Sequence, residues 1–488
     1  MFPASTNRCL SARPAPAKAY RRRRPERTVL YGIVQHHLET WLARTREADP
    51  DGEPLPAYVE RELRAFLECG ILAHGFARAR CPECGHDFLV AFSCKGRGLC
   101  PSCTTRRMAE TAAHLVDHVF PQVPVRQWVI AFPKRLRFFL HRDPAALNAT
   151  LRIFLRAVEH RLQLACPGAP PGARFGAVSF LQRFGSALNA HTHFHCCITD
   201  GLFSGQADVL RFHPVSTLGE VDIAAVQAVV RNRVLRWFAR HRLLSPESTA
   251  DMQRWAHGGG FSLHAGVLIH ASDRRGLERL LRYCARPAFA SERLCWDQQD
   301  ERILYTLPRP QPDGQSVLTL TPLQFLDRLA VLIPPPRRHR HRYNGAFAPN
   351  AALRPLISAQ AGQPIASHTE WPQHLDPPAT AAPPRATGLE PPRRCASYLW
   401  AALLARIYEC LPLSCPHCAA PMRLIAFITE PATIRPILSH LDLPPTPPPL
   451  APARGPPLYE AELDQTPAWD PAGPQPQPEF EFDQTLTW

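Results

Sequence analysis

At roughly 100 to 200 residues per domain, a chain of 488 residues with 45% hydrophobic residues predicts several domains with apolar cores. The formal net charge of +14, carried almost entirely by arginine, favours a polyanionic partner such as nucleic acid. No run approaches the roughly 18 to 20 apolar residues of a membrane span, and the first residues lack the apolar core of a secretory signal. A membrane protein is therefore excluded, and a cytoplasmic, nucleoid-associated protein is expected.

The first quarter of the chain is predicted to be a basic arm followed by a helical, cysteine-rich domain. Residues 1–27 are rich in arginine with no acidic residue before Glu26, which favours a disordered arm. Apolar residues at helical spacing predict helices over 28–43 and 57–67. These helices lead into RCPECGHDFLVAFSCKGRGLCPSC, and we assign 28–125 to one zinc-binding domain that contacts DNA.

From residue 126 the pattern changes to a mixture of strands and helices. Strand-like runs cover 126–132, 175–184, 191–199, 261–270 and 302–307. Helical spacing covers 145–164, 223–241, 273–284 and 322–332. A basic loop, PPPRRHRHRYNG, closes this part. The mixture predicts the α+β fold class, with a domain over 126–360.

The remaining chain is rich in proline, of which the sequence has 54. Residues 361–394 and 444–488 show little apolar periodicity, which predicts a linker and a disordered tail. Between them, 395–443 is expected to form a small module with a helix over 398–411, a CPHC motif, a strand over 423–428 and a helix over 432–441.

Two Cys-x-x-Cys pairs in the N-terminal domain have the spacing of a zinc site. Cys81 and Cys84 are separated by fifteen residues from Cys100 and Cys103, and four thiolates complete a tetrahedron around one ion. Such a closed site predicts a structural zinc. Cys69, His74 and Cys94 lie nearby as alternative ligands or as buried side chains.

A further pair, Cys415 and Cys418, has no second pair beside it in the sequence. Zinc binding there would need a partner such as Cys395, Cys410 or His417.

The motif HTHFHCCITDG places His193 and His195 on one face of a predicted strand, with Phe194 on the other. Two imidazoles on one face can bind a metal ion and leave its other positions open, although structural histidines are an alternative. Tyr283 lies on a predicted amphipathic helix between Arg282 and Arg286. A metal ion to polarise a phosphate and a phenol to attack it are suited to breaking a phosphodiester, although one helical tyrosine by itself is more typical of packing.

Arginines near these motifs are candidates for DNA contacts. Arg106 and Arg107 follow the second cysteine pair, and Arg338 and Arg340 alternate with histidines in the basic loop. A solvated basic face is the alternative for both groups.

The chain resembles the rolling-circle transposases of the insertion-sequence-91 type, which are HUH endonucleases. The resemblance covers nearly all of the predicted ordered chain and rests on the motifs CGILAHGF, CPECGHDFLVAFSCKGRGLCPSC, QRFGSALNAHTHFHCCITDG, RYCARPAFASERL, RILYTL and RYNGAFAPNAALRP. It implies an antiparallel sheet with helices on its flank in a catalytic domain over 126–360. It also implies nicking of single-stranded DNA at element ends through a 5′-phosphotyrosine, followed by strand transfer to target DNA.

The resemblance assigns the metal pair to His193 and His195 and the nucleophile to Tyr283, with Mg²⁺ or Mn²⁺ as the catalytic ion. Gln182 is expected to be a third ligand, with His191 as its rival. Type members have two tyrosines in a YxxxY motif, whereas positions 279 and 287 here are arginine and proline. The chain is therefore similar to the single-tyrosine branch of common-region elements. Strand exchange would then need a second protomer in a homodimer, a second turnover, or a distant phenol such as Tyr305 or Tyr343.

Two other functions remain open from the sequence. A zinc-dependent DNA-binding regulator would use the cysteines and arginines without catalysis. A replication initiator or relaxase would share the chemistry but would need a helicase or partner-docking segment, and no P-loop pattern is present.

Overall fold

The computed structural model describes residues 22–48, 55–206, 209–311, 313–365 and 415–455. The helices are α1 (Val29–Ala48), α2 (Ala57–Glu68), α3 (Pro101–His118), α4 (Lys134–Arg142), α5 (Pro144–Ala165), α6 (Glu220–Arg240), α7 (Pro246–Arg254), α8 (Arg274–Cys284), α9 (Pro322–Leu332), α10 (Arg354–Ala359) and α11 (Pro431–His440). The strands are β1 (Phe76–Arg80), β2 (Asp87–Ala91), β3 (Val125–Ala131), β4 (Gly176–Phe184), β5 (Ala190–Thr199), β6 (Gly201–Gln206), β7 (Val209–Pro214), β8 (Ser262–Ile269), β9 (Leu294–Asp297), β10 (Arg302–Thr306), β11 (Val317–Leu320), β12 (His341–Gly345) and β13 (Arg423–Ile428).

Contacts divide the described chain into two compact units that differ from the predicted domains. Unit 1 contains 22–25, 69–93 and 415–447, and unit 2 contains the remaining described residues. Segment 69–93 therefore belongs with the C-terminal module, although the sequence places it with 28–68 and 94–125. The physical reason is strand pairing between β1 and β13, a long-range contact that local periodicity does not reveal.

Unit 2 is built around a five-stranded sheet in the order β12-β4-β5-β3-β8. Every neighbouring pair of strands in this sheet is antiparallel. Strand β5 lies at the centre of this order, and its side chains from Thr192 to Thr199 are buried on both faces. Near one end of the sheet, Arg126 donates to both carboxylate oxygens of Asp200, at 2.7 and 2.9 Å, and this ties β3 to the residue after β5.

Helices cover both faces of this sheet. On one face, Phe194 and Ile130 pack with α4, α5 and α6 in an apolar cluster. On the other face, Val178 and Cys197 pack with α3 and α8. The alternation of β5 therefore sends Phe194 into one core and its two neighbouring histidines toward the α8 side; the sequence predicted the opposite faces but not the helix that covers each.

A smaller antiparallel sheet, in the order β11-β10-β9, completes unit 2 beside α1 and α9. Trp41 of α1 is buried, and its indole N–H donates to Asp327 of α9 at 2.7 Å. Strands β6 and β7 form a separate two-stranded ribbon.

Unit 1 is a three-stranded antiparallel sheet, β13-β1-β2, with α11 packed on it. Its core is small. The buried apolar side chains of the main cluster are Leu72, Phe76, Leu89, Ile434 and Leu438.

The α+β fold class is confirmed, and most of the predicted elements have the expected type. Residues 341–345 are an exception, because the predicted basic loop ends in strand β12, which pairs with β4. The predicted helix over 398–411 lies outside the described residues. In the described part of the chain, no helix is both long and apolar enough to cross a membrane.

Part of the predicted proline-rich tail is ordered. The side-chain amide of Gln35 in α1 donates to the carbonyl of Pro449 at 2.7 Å, and the backbone N–H of Arg454 donates to Thr40 Oγ1 at 2.9 Å. Proline already restricts the backbone, so a short extended segment loses little entropy when it packs on a helix. The start of the predicted linker is ordered as well, since the side-chain amide of Gln122 donates to the carbonyl of Gly362 at 2.8 Å.

Candidate active site

The two histidines of the HxH motif lie side by side on the central strand of unit 2. Their ring centroids are 5.0 Å apart, and both side chains are buried. On β4, Gln182 lies directly opposite His193, and on β3, Val129 lies opposite His195. The antiparallel register therefore brings the three predicted metal ligands to one place on the α8 side of the sheet.

Hydrogen bonds at the inner ring nitrogens orient both imidazoles. His193 Nδ1 lies 2.9 Å from the carbonyl of His191, so this nitrogen carries the proton and Nε2 keeps a lone pair. His195 Nδ1 lies 2.9 Å from the side-chain amide of Gln127. Burial lowers the pKa of His193 to about 4 and the pKa of His195 well below its usual value, so both rings are neutral at neutral pH.

Gln182 and His191 each present a buried polar atom to this site. Gln182 Nε2 donates to the carbonyl of Cys284 at 2.9 Å, whereas its Oε1 has no hydrogen-bond partner among the described residues. His191 Nε2 is likewise buried and unpartnered within the described chain. A buried acceptor without a donor is costly, so these atoms fit a ligand such as a cation.

Tyr283 lies beside the histidines on α8. Its ring centroid is 5.6 Å from that of His195, in an edge-on arrangement. The helix is fixed by an N-cap, in which Asp273 accepts from the N–H of Gly276 at 2.7 Å, and by a buried stripe of Leu277, Leu280, Leu281 and Cys284. Because Tyr283 precedes the last residue of that stripe, its ring lies at the edge of the core and is half-buried.

The two alternative phenols are elsewhere in unit 2. Tyr305 lies in β10 and is only 3% exposed, and burial raises the pKa of its phenol. Tyr343 lies in β12 opposite Val178, with the guanidinium of Arg354 5.0 Å from its ring centroid. Among these three tyrosines, Tyr283 is the one that contacts the histidine pair.

The candidate DNA-binding arginines have different surroundings. Arg286 lies 5.0 Å from the Tyr283 ring centroid and 5.6 Å from that of Phe184, and its Nε has no hydrogen-bond partner in the described chain. Arg282 is held by Glu278 at 2.5 Å. These contacts place Arg286 next to Tyr283 with capacity for an anion, whereas part of the charge of Arg282 is already compensated.

The two candidate arginines of the basic loop also differ in their surroundings. Arg338 is exposed, whereas Arg340 donates to the carbonyls of Arg97 and Arg286 at 3.0 and 3.2 Å. Burial lowers the pKa of Arg340 to about 10. Arg340 therefore braces the backbone on the C-terminal side of Tyr283.

Beside the cysteine pair, Arg106 is half-buried, whereas Arg107 is exposed and donates to the carbonyl of Lys95 at 2.7 Å.

The predicted zinc site of Cys81, Cys84, Cys100 and Cys103 is wrong in its partners, because the thiols of its two pairs fall in separate groups. In unit 1, the thiols of Cys81 and Cys84 lie within 4.8 Å of those of Cys415 and Cys418. A Cys-x-x-Cys pair fixes its own two thiols but does not determine which second pair folds against it.

In unit 2, the thiols of Cys100 and Cys103 are grouped with that of Cys94, and Cys94 lies 3.6 Å from Cys103. Cys69, which the sequence offers as a further ligand, directly follows helix α2 in the chain.

Sequence reasoning missed Gln127 and Arg137. Gln127 is 2% exposed and forms a hydrogen bond with His195. The available signal in the sequence was a single amide directly before the apolar run WVIAF. Arg137 of α4 donates to the carbonyl of Phe132 at 2.5 Å, and its charge contributes to the lowered pKa of His193. Nothing in its local sequence distinguishes Arg137 from neighbouring arginines.

Two family models match parts of this chain. The family model described as "Transposase zinc-binding domain", of the insertion-sequence-91 type, matches residues 33–132. The model described as "Putative transposase" matches residues 176–353, which include the histidine pair and Tyr283. Together with the cysteine groups, the first match supports structural zinc.

The chain is also similar to a protein described as "Putative transposase y4qJ" from Sinorhizobium fredii (strain NBRC 101917 / NGR234). The two are 24% identical over 304 residues, which cover 58% of this chain and 73% of the relative. No solved structure matches the chain.

Proposed function

We propose that this chain, which belongs to the transposases that carry a zinc-binding domain of the insertion-sequence-91 type, nicks and rejoins single-stranded DNA at element ends. The proposed route is rolling-circle transposition through a 5′-phosphotyrosine. The observation that carries the proposal is the position of Tyr283, whose ring lies 5.6 Å from that of His195 in the histidine pair.

The residues around the pair fit a divalent cation. Two neutral imidazoles and the unpartnered Oε1 of Gln182 supply nitrogen and oxygen ligands. Mn²⁺ and Mg²⁺ prefer such ligands to the sulfur ligands of a cysteine site. When bound by His193, His195 and Gln182, such an ion would supply positive charge to the scissile phosphate.

The protein's own residues perform the remaining work. Arg286 is placed to bind a phosphate oxygen next to the phenol, and α8 holds Tyr283 at the edge of the site. Attack by the phenol oxygen forms the P–O bond to Tyr283 as the P–O3′ bond breaks. The phenol loses its proton, and the departing 3′ oxygen gains one. The energy of the broken ester is thereby kept in the new one, and a later 3′-hydroxyl can reverse the step to rejoin DNA.

Because Tyr283 is the one tyrosine beside the histidine pair among the described residues, each protomer can hold one strand at a time. We therefore propose that strand transfer uses either a second protomer of a homodimer or a second turnover. The proposed location is the bacterial cytoplasm, where nucleoid DNA supplies both element ends and target.

The test is incubation of the purified protein with labelled single-stranded element-end DNA and Mn²⁺ or Mg²⁺, followed by denaturing electrophoresis. The proposal predicts a metal-dependent cut and a protein–DNA adduct that survives denaturant. Binding without any cut or adduct would favour a regulator instead.

A further inference from the structure

We propose that Cys81, Cys84, Cys415 and Cys418 bind one zinc ion in unit 1. The sulfurs of Cys84 and Cys415 lie 3.4 Å apart, although the two residues are 331 positions apart in the chain. The C-terminal pair lies outside the regions matched by both family models. This zinc is separate from any ion held by the cysteine group of unit 2.

The two pairs form matching turns. The first reads CPECG and the second CPHCA, and each closes with a backbone hydrogen bond from its fifth residue to the carbonyl of its first cysteine, from Gly85 at 3.1 Å and from Ala419 at 2.9 Å. The fifth residues are also alike in conformation, with φ of 73° at Gly85 and 58° at Ala419. The left-handed region is unfavourable for a residue with a side chain, and an ion that fixes the thiols of this turn would offset the cost at Ala419.

The sulfur positions fit a tetrahedron. Cys81 lies 3.4 Å from Cys418, and Cys84 lies 3.4 Å from Cys415 and 3.6 Å from Cys418. Four sulfurs at about 2.3 Å from zinc would be about 3.8 Å apart, a small outward adjustment from these distances. Because all four ligands come from protein, the site has no open position and serves structure.

The small core of unit 1 explains why a structural ion would contribute to its stability. Beyond its main cluster, the buried side chains around the thiols are Ala79, Cys81, Cys415 and Met422, with Phe88 and Ala420 packed against them. A core of this size supplies little stability, and metal binding adds folding free energy directly. The zinc would hold the β1–β13 pairing in register, since Cys81 directly follows β1.

The experiment is metal analysis of the full-length protein and its variants. Replacing Cys415 and Cys418 together with Ser should remove one zinc per chain, and adding Cys84→Ser should remove no more, because all three residues serve the same ion. Cys295→Ser, at an exposed thiol outside both groups, is the matched control and should keep all zinc. If the Cys415→Ser/Cys418→Ser protein retains the zinc of the wild type, the proposal is wrong.

A second measurement separates coordination from unfolding. Cobalt bound by four thiolates gives tetrahedral and sulfur charge-transfer absorption, so Cys418→His should keep one metal with a shifted spectrum, whereas Cys418→Ala should lose it. Identical cobalt spectra in the wild type and both variants would overturn the assignment. Neither readout depends on DNA cleavage, so failure here is distinguishable from failure of the proposed function.

Discussion

Gln127 joins His195 to Cys284, the residue that follows Tyr283. Its Nε2 lies 2.9 Å from His195 Nδ1 and 3.4 Å from Cys284 Sγ. If the amide turned by 180°, its oxygen would face the ring, and Gln127 would then accept the Nδ1 proton of His195 and leave the Nε2 of His195 for a metal. One side chain of β3 thereby links the metal pair to the helix of the nucleophile.

Gln127→Leu should weaken metal-dependent cleavage by raising the metal concentration required about 10- to 100-fold, the usual cost of losing such a partner. Gln127→Glu keeps an acceptor for the Nδ1 proton and should restore most of the affinity. Cleavage measured against Mn²⁺ concentration checks this. An unchanged metal requirement in Gln127→Leu would show that the contact has no positioning role.

Gln182→Ala should raise the metal requirement by about tenfold while leaving the maximal rate closer to wild type than either histidine variant does. The reason is that it removes the unpartnered Oε1 but keeps both imidazoles. His191→Ala is the matched comparison, since His191 Nε2 is also buried and unpartnered in the described chain. If His191→Ala has the larger effect, His191 is the third ligand and Gln182 is not.

Much of this site could be predicted because it follows from local patterns. Alternation along β5 sets the face of His193 and His195, and helical spacing along α8 buries Leu277 and Leu281 and so leaves Tyr283 at the edge of the core.

The parts that could not be predicted depend on long-range pairing. The β1–β13 register decides which cysteines meet, and the β3–β5 register brings Gln127 to His195. Strand β12 escaped prediction for a similar reason, because its residues are half-buried and show no alternation, and the pairing with β4 makes it a strand.

His193→Ala and His195→Ala should each reduce cleavage to background and leave DNA affinity nearly unchanged, because imidazoles hold the ion while arginines hold the strand. His264→Ala, on β8 of the same sheet, is the control and should still cut. Cleavage and binding assays on the same preparations provide the comparison. If His193→Ala cuts DNA at the wild-type rate, the histidine pair has a structural role and does not hold a catalytic ion.

Substitution of Arg338 should weaken DNA binding, whereas substitution of Arg340 should lower the stability of the fold. Arg338→Ala should reduce the slope of log affinity against log salt by about 0.7, as expected for one phosphate contact on a single strand. Arg340→Ala should instead destabilise the fold by about 1–3 kcal/mol, because the carbonyls of Arg97 and Arg286 lose their donor. Binding titrations at several salt concentrations and denaturant unfolding distinguish the two, and the opposite assignment of effects would contradict this account.

The central claim, that Tyr283 is the nucleophile, is tested most directly by the protein–DNA adduct formed by Tyr283→Phe. This change removes one oxygen and keeps the ring against His195 and Arg286, so thermal stability and DNA affinity should match the wild type. Tyr305→Phe and Tyr343→Phe are the matched controls at phenols away from the histidine pair. The account predicts an adduct that resists denaturant in the wild type and both controls and none in Tyr283→Phe; an undiminished adduct in Tyr283→Phe would contradict it.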